Sequence, residues 1–176
     1  MEYTCRYPSP LGPILLASDG AALTGLWFEG QKYFARSLDP DHREGEAGPL
    51  VLAQKWLDVY FSGGKPDFQV PLGLRGTPFQ LQVWQALLRI PYGQTCTYGE
   101  IARRLGEKRG GPVPAQAVGG AVGRNRISLF IPCHRVVGAN GSLTGYAGGI
   151  SRKAALLKLE GAFQKGFFVP PPTGAP

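Results

Sequence analysis

Sulfur and imidazole are scarce in this chain: three cysteines, at positions 5, 96 and 133, two histidines and one methionine in 176 residues. Cysteines so few and so far apart exclude a disulfide framework and supply no closely spaced pair for a structural metal. Free thiols point to a reducing, intracellular setting. No apolar stretch approaches the roughly 18–20 residues that span a bilayer. Residues 1–6 lack the apolar run of a secretory signal, so neither a membrane partner nor secretion is expected. Acidic residues are also scarce, but in one half only. Residues 1–76 hold seven Lys/Arg and nine Asp/Glu, a net of −2. Residues 77–176 hold twelve Lys/Arg and only three Asp/Glu, a net of +9. Scattered basic residues usually mean a solvated surface, whereas an excess confined to one half points to a polyanion, nucleic acid first.

A hydrophobic fraction of 43% is enough for a buried core. The first portion reads as mostly strand: residues 3–7, 14–18 and 23–28 are short apolar or alternating runs separated by turn signals. Residues 31–49 read as a polar, acidic surface loop. A helix fits residues 50–61, with Val51, Leu52, Lys55, Trp56, Val59 and Tyr60 on one face, and a further strand fits 68–72. Gly73 to Pro78 is the expected boundary between a domain of residues 1–76 and one of 77–176. The second portion reads as mostly helix. Residues 79–89 place Phe79, Val83, Leu87 and Leu88 on one face. Thr97 and Glu100 have capping-box spacing and open a helix that Gly106 closes. A Gly/Pro-rich basic loop leads to Pro114, in the first turn of a helix reaching Gly123. Two short helices around a compact loop are compatible with a helix-turn-helix. Residues 164–176, rich in Gly and Pro, are expected to be irregular and partly mobile.

The helix over 115–123 carries three glycines, each costing about 1 kcal/mol relative to alanine. Tight packing on a neighbouring helix explains that, and so does close approach to a bulky partner such as a DNA groove. Arg124 and Arg126 at its end favour the second explanation, since such residues meet phosphates. Cys133 stands beside His134, and a histidine near a thiol can take its proton and release the nucleophile. On an extended strand the two side chains point to opposite faces, so contact needs a turn or a bridging water. Glu160 ends the helix over 151–159, where the helix dipole disfavours negative charge. An acid in so unfavourable a place is a candidate for orienting His134.

Pro132-Cys133-His134-Arg135 is preceded by Gly119-Gly120-Ala121 and Asn125. It is followed by Gly145-Tyr146-Ala147-Gly148-Gly149 and by residues 156–161, Leu-Leu-Lys-Leu-Glu-Gly. In this setting the chain resembles the O6-alkylguanine-DNA alkyltransferases, densely over residues 77–161 and more loosely before. The resemblance implies an α+β fold: a small N-terminal α/β domain like ribonuclease H, then a mostly helical C-terminal domain with a helix-turn-helix. It implies direct DNA repair in which Cys133 takes the alkyl group from O6-alkylguanine in duplex DNA, irreversibly and once per molecule. O4-alkylthymine is a second candidate substrate. His134 takes the thiol proton through a water, Glu160 holds the imidazole, and Asn125 braces the turn before a strand carrying Cys133. The helix of Gln116, Ala117 and Gly119 enters the minor groove with Arg124 at its end. Tyr98 assists rotation of the flipped nucleotide. Tyr98, Val136, Tyr146 and Ala147 line the base pocket. No cofactor is implied. The expected protein is a cytoplasmic monomer, nucleoid-associated in a prokaryote or nuclear in a eukaryote, with cooperative binding to DNA in prospect.

Two departures stand out. Gln116 occupies a position where the family usually carries arginine, so the charge and planar fork at the orphaned base are lost. Some members hold zinc in the N-terminal domain, but Cys5 and His42 lack the further Cys and His ligands, so no metal is expected. A damage sensor that flips the base without repairing it is a competing reading, disfavoured because such relatives replace the cysteine. A Cys-His-Glu hydrolase is another, and it leaves the basic half and the glycine-rich helix unexplained.

Overall fold

A computed structural model describes residues 1–170. The chain forms two compact units, one of Met1–Arg75 with Arg126–Leu129, the other of Gly76–Asn125 and the described chain from Phe130 onward. Among the described residues no helix is long and apolar enough to cross a membrane.

The first unit is a four-stranded sheet with one helix. Strands β1 (Glu2–Ser9), β2 (Gly12–Ser18) and β3 (Leu23–Phe28) form an antiparallel meander, and β4 (His42–Glu44) joins β1 in parallel, giving the order β3-β2-β1-β4. Helix α1 (Gly48–Phe61) follows. β2 and β3 are apolar without alternation because both faces are covered. On one face Leu15, Ala17 and Trp27 meet Ala35 and Leu38. The 31–49 segment is therefore more than a polar surface loop, since it shields the sheet and supplies β4. The buried side of α1 is Pro49, Leu50, Ala53, Leu57 and Tyr60. Val51 and Leu52, expected on the inner face, are exposed. α1 is apolar nearly all round, and its position on the sheet selects which stripe is buried. Of the strand expected at 68–72 only an isolated bridge, Leu23 to Leu72, is formed.

In the second unit Thr77 caps α2 (Pro78–Leu88) through a full capping box with Gln80, with proline in the first turn. Its buried residues are Val83, Trp84 and Leu87, while Leu88 is exposed. Trp84 Nε1 donates to the Ala121 carbonyl at 2.9 Å, tying α2 to the glycine-rich helix. After β5 (Cys96–Thr97), helix α3 (Tyr98–Arg109) runs past Gly106 to a left-handed Gly110. The Gly106 carbonyl accepts from both Gly110 and Gly111, so the true stop signal lies four residues later. The expected capping box is half present: Thr97 accepts from the Glu100 amide, but the Glu100 carboxylate turns to the Cys96 thiol instead.

Helix α4 (Ala115–Gly123) has Pro114 as its cap, one position outside the expected first turn. The chain then passes through a one-turn 3-10 helix, Cys133–Arg135, into β6 (Val136–Val137), which pairs with β5 in parallel. Helix α5 (Ile150–Leu159) ends the regular structure. The tail expected to be irregular from residue 164 is tied down at Phe168, which exchanges backbone bonds with Gly141 and Leu143. Residues 171–176 of that tail lie outside the described residues.

Candidate active site

Cys133 begins the 3-10 turn, so its expected placement on a strand is incorrect. Pro132 and the Ile131 carbonyl, which accepts the Cys133 amide at 2.7 Å, force the chain to turn there. Cys133 is 3% exposed. Asn125, in the turn that leaves α4, donates from Nδ2 to the Ile131 carbonyl at 2.8 Å and lies 3.1 Å from the Cys133 sulfur. One amide thus braces the turn and touches the Cys133 sulfur.

His134 is fully buried. Its Nε2 lies 2.5 Å from Glu160 Oε2. Glu160 caps α5, and its other oxygen accepts from Arg135 Nε at 2.8 Å and from the Gly93 amide at 3.3 Å. Burial alone would raise the Glu160 pKa, but the hydrogen bonds from His134 and Arg135 outweigh it and hold the carboxyl well below the usual range. Burial pushes the His134 pKa down despite Glu160, so the resting imidazole is neutral. An ionised carboxylate only accepts, so Nε2 carries the proton and Nδ1 carries the lone pair. Nδ1 is buried and has no hydrogen-bond partner among the described residues. It is placed to act as a base. The dipole cost of an acid at a helix C-terminus is offset by the guanidinium of Arg135, which also donates to the Ile90 carbonyl at 2.7 Å and lies over the Tyr92 ring.

The remaining predicted residues are distributed around this centre. The Tyr98 hydroxyl donates to the Thr144 carbonyl at 2.9 Å. A Cβ on Gly145, which has φ +85°, would sit 2.4 Å from that hydroxyl, so the loop accepts only glycine there. Tyr146 presents its ring edge-on to His134, centroids 6.4 Å apart. Val136 is buried at the start of β6, and Ala147 is half-buried in the 145–149 loop. Gln116, Ala117 and Arg124 are exposed on α4 and at its end. Cβ atoms built on Gly120 and Gly123 would meet nothing within 4 Å, and one on Gly119 would reach only the Tyr98 ring at 3.9 Å. Internal packing therefore does not account for these glycines.

Lys153 was not foreseen. It is fully buried, donates to the same Thr144 carbonyl at 2.8 Å, and lies 5.8 Å from the Tyr98 ring centre. Burial lowers its pKa to about 8, while negative charge on Cys133 pulls it upward. The signal was a lysine sharing a helical face with Leu156 and Leu157. Arg135 stood within the recognised motif but had no assigned role. Gly93 carried a signal only as part of the Pro91-Tyr92-Gly93 turn that stops α2, with nothing to tie its amide to Glu160. Cys5 and His42, in the first unit, contact Gln54 and the Asp39 carbonyl. Among the described residues no group of three or more His, Cys, Asp or Glu side chains could hold a metal.

Residues 78–162 match the DNA-binding domain of 6-O-methylguanine DNA methyltransferase, and residues 3–74 match its ribonuclease-like domain. The chain belongs to this methyltransferase family. The methylated-DNA–protein-cysteine methyltransferase of Mycobacterium tuberculosis is 49% identical over 152 residues, 86% of this chain and 88% of that protein. The Mycobacterium leprae protein of the same name is 49% identical over 160 residues, covering 89% and 91%. The crystal structure of the M. tuberculosis O6-methylguanine methyltransferase superposes with a TM-score of 0.78 at 45% identity, over 94% of this chain and 96% of that one. The M. tuberculosis structure in complex with DNA gives 0.75 at 45% identity over 92% of each chain. As a methyltransferase of this family, the protein is a transferase of direct DNA repair that moves an alkyl group onto one of its own cysteines.

Proposed function

We propose that the acceptor is Cys133 and the donor O6-alkylguanine flipped out of duplex DNA, with O4-alkylthymine as a second candidate. The observation that carries this reading is the short His134–Glu160 bond, which leaves His134 Nδ1 as the free base beside a buried thiol. The thiol proton passes through a water to Nδ1. The sulfur forms a bond to the alkyl carbon as the C–O6 bond breaks, and the electron pair stays on guanine, which takes up the proton. The product thioether does not hydrolyse, so each molecule acts once. Asn125 donates to the developing thiolate and Glu160 holds the imidazole in the required tautomer.

Flipping costs a few kcal/mol of unstacking. The open glycine face of α4, with Gln116 and Ala117, enters the minor groove, α3 and α4 acting as a helix-turn-helix. Tyr98 assists rotation, and Tyr146, Val136 and Ala147 line the base pocket. The protein acts as a monomer in the compartment that holds the DNA, the cytoplasm of a prokaryote or the nucleus of a eukaryote, and cooperative binding there is an open outcome of titration. Incubation with an oligonucleotide carrying O6-methylguanine, followed by mass spectrometry, tests the reading. One methyl increment on Cys133 is expected. Unchanged mass with tight binding makes the chain a damage sensor, and neither binding nor transfer returns the hydrolase reading.

Gln116→Arg is expected to raise DNA affinity or the transfer rate by restoring a cation and a planar fork. Single-turnover kinetics on duplex substrate read this directly, and no gain in either quantity overturns the role given to residue 116.

Lys153 holds an ammonium against the Thr144 carbonyl and the Tyr98 ring, and its electrostatic coupling to Cys133 lets it stabilise negative charge as the thiolate forms. Lys153→Met removes that charge and leaves the volume filled. Transfer should slow about 10²-fold while the melting temperature holds or rises, because a buried cation is replaced by an apolar chain. The linkage has a definite sign. The folded-state pKa lies below the ordinary lysine value of about 10.4, so the penalty of burying the charge is full below pH 8 and fades as pH rises above it. Melts of wild type should gain stability over that window and those of Lys153→Met should not. Parallel pH profiles would remove Lys153 from the site.

A further inference from the structure

Helices α2 and α3 enclose a cleft of about 470 Å³ whose lining includes Arg89, Arg104, Lys108 and Arg109. Glu107 is the single carboxylate among the lining residues. All four cationic side chains are exposed, and none forms a hydrogen bond or ion pair with another described residue. Arg6, Arg75 and Arg135, by contrast, each pair with a carboxylate. Basic residues at helix ends often serve only to offset the macrodipole, and that explains Arg89, Lys108 and Arg109, which cap or end α2 and α3. It does not explain Arg104, which lies one turn before Lys108 on the same face, outside the last turn of α3. Four like charges around one concavity repel each other, and an anion held among them relieves that repulsion. Below the rim lies Leu105, 8% exposed, and Gln82 and Gln85 on the α2 wall add amide donors and acceptors.

We propose that this cleft is a second phosphate-backbone site, which holds a DNA segment other than the one α4 enters. The opposite flank of α3, with Ala102 and Gly106, faces the connection to α4 and Ala115. The cleft and α4 are thus served by different sides of one helix. Guanidinium and ammonium groups meet phosphate oxygens, and glutamine amides meet phosphate and sugar oxygens, without reading sequence. An acidic peptide satisfies the charge as well. DNA is favoured because the same unit already holds it through α4, so a neighbouring segment arrives at high effective concentration. The inference rests on the reading of this chain as a protein that acts on duplex DNA.

The experiment compares wild type with Arg104→Gln/Lys108→Gln and with Arg104→Glu/Lys108→Glu, on a duplex of about one helical turn and on one of about four turns, on the order of 40 bp. Each lost phosphate contact removes about 0.9 from the slope of log K against log salt. On the long duplex the neutral pair should lose about 1–2 from the slope, and the reversed pair should bind more weakly still. On the one-turn duplex both should match wild type, and alkyl transfer from free O6-benzylguanine, which needs no DNA, should be unchanged in both. An unchanged slope on the long duplex overturns the second site. Equal losses on both duplexes also overturn it, because they reduce the cleft to a general contribution to the field. Wild-type protein that bound neither duplex would instead defeat the reading on which the inference rests.

Discussion

Cys133→Ala is expected to leave no alkyl increment on the protein and to cut transfer by about 10⁴-fold or more, to the background of the uncatalysed reaction. No other thiol can stand in. Cys96 is buried in β5, where desolvation and the Glu100 carboxylate push its pKa up to about 11. Burial also raises the pKa of Cys5, which lies in the sheet of the first unit. Both are therefore poor nucleophiles at neutral pH. The alanine variant keeps the 3-10 turn, because Asn125 still bonds the Ile131 carbonyl, and stability should fall by only about 1 kcal/mol. Binding to an alkylated duplex should persist, since α4 and the base pocket are untouched. Binding measured beside intact-mass analysis separates loss of chemistry from loss of fold. A mass increment on the variant, or loss of binding along with transfer, would contradict the assignment. His134→Ala should be milder, about 10²- to 10⁴-fold slower, because the nucleophile remains and only the base is gone.

The second large effect is expected at Glu160. Glu160→Leu leaves Arg135 and His134 buried with donors that have lost their acceptor. Breaking a buried pair from one side costs about 3–5 kcal/mol, equivalent to a fall in melting temperature of roughly 6–20 °C for a chain of this size. Glu160→Gln separates structure from catalysis. Its amide oxygen still accepts from Arg135, but its NH₂ then confronts the Nε2 proton and forces the imidazole into the other tautomer. Nδ1 becomes protonated and cannot serve as the base. This variant should keep more stability than the leucine variant yet lose about as much rate as a wrong-tautomer triad, on the order of 10⁴-fold. Equal rates for Glu160→Gln and wild type would show that the imidazole is not the base.

Acid should expose the same network. Burial lowers the His134 pKa, so its contribution to stability is full above the ordinary histidine value of about 6.5 and is lost as pH falls through the folded value. Glu160, also depressed, contributes fully above about 4.3 and is lost below that as the carboxylate protonates. Both slopes run the same way. Wild-type melts should therefore decline on acidification in two stages, and Glu160→Gln should lack the lower one.

Much of this was legible in the chain itself, and the reasons are local. Proline before Cys133 and the adjacent histidine are covalent neighbours, so their proximity needs no fold. The scarcity of acids after residue 76 is a property of composition, and it named the class of partner before any coordinates. Apolar periodicity, capping residues and Gly/Pro punctuation located the five helices of the described residues and the three long strands, because main-chain hydrogen bonding is decided within a few residues.

Long-range decisions were not legible. The stripe of α1 that faces the sheet, the shielding of β2 and β3 by the 31–49 segment, and the return of Arg126–Leu129 to the first unit all depend on partners distant in sequence. The same holds inside the site. Glu160 at its awkward helix end was legible as a partner for His134, but only tertiary packing adds Arg135 and the Gly93 amide to it. Lys153 shares a helical face with Leu156 and Leu157, but its place in the site is set only by Tyr98 and the Thr144 carbonyl around it. The sequence by itself singled out the proposed nucleophile and the class of molecule it meets. The tertiary structure decided which imidazole nitrogen is left without a partner among the described residues and which lysine is buried against Tyr98, because burial and hydrogen bonding between distant residues set protonation state, and neither can be read from neighbours along the chain.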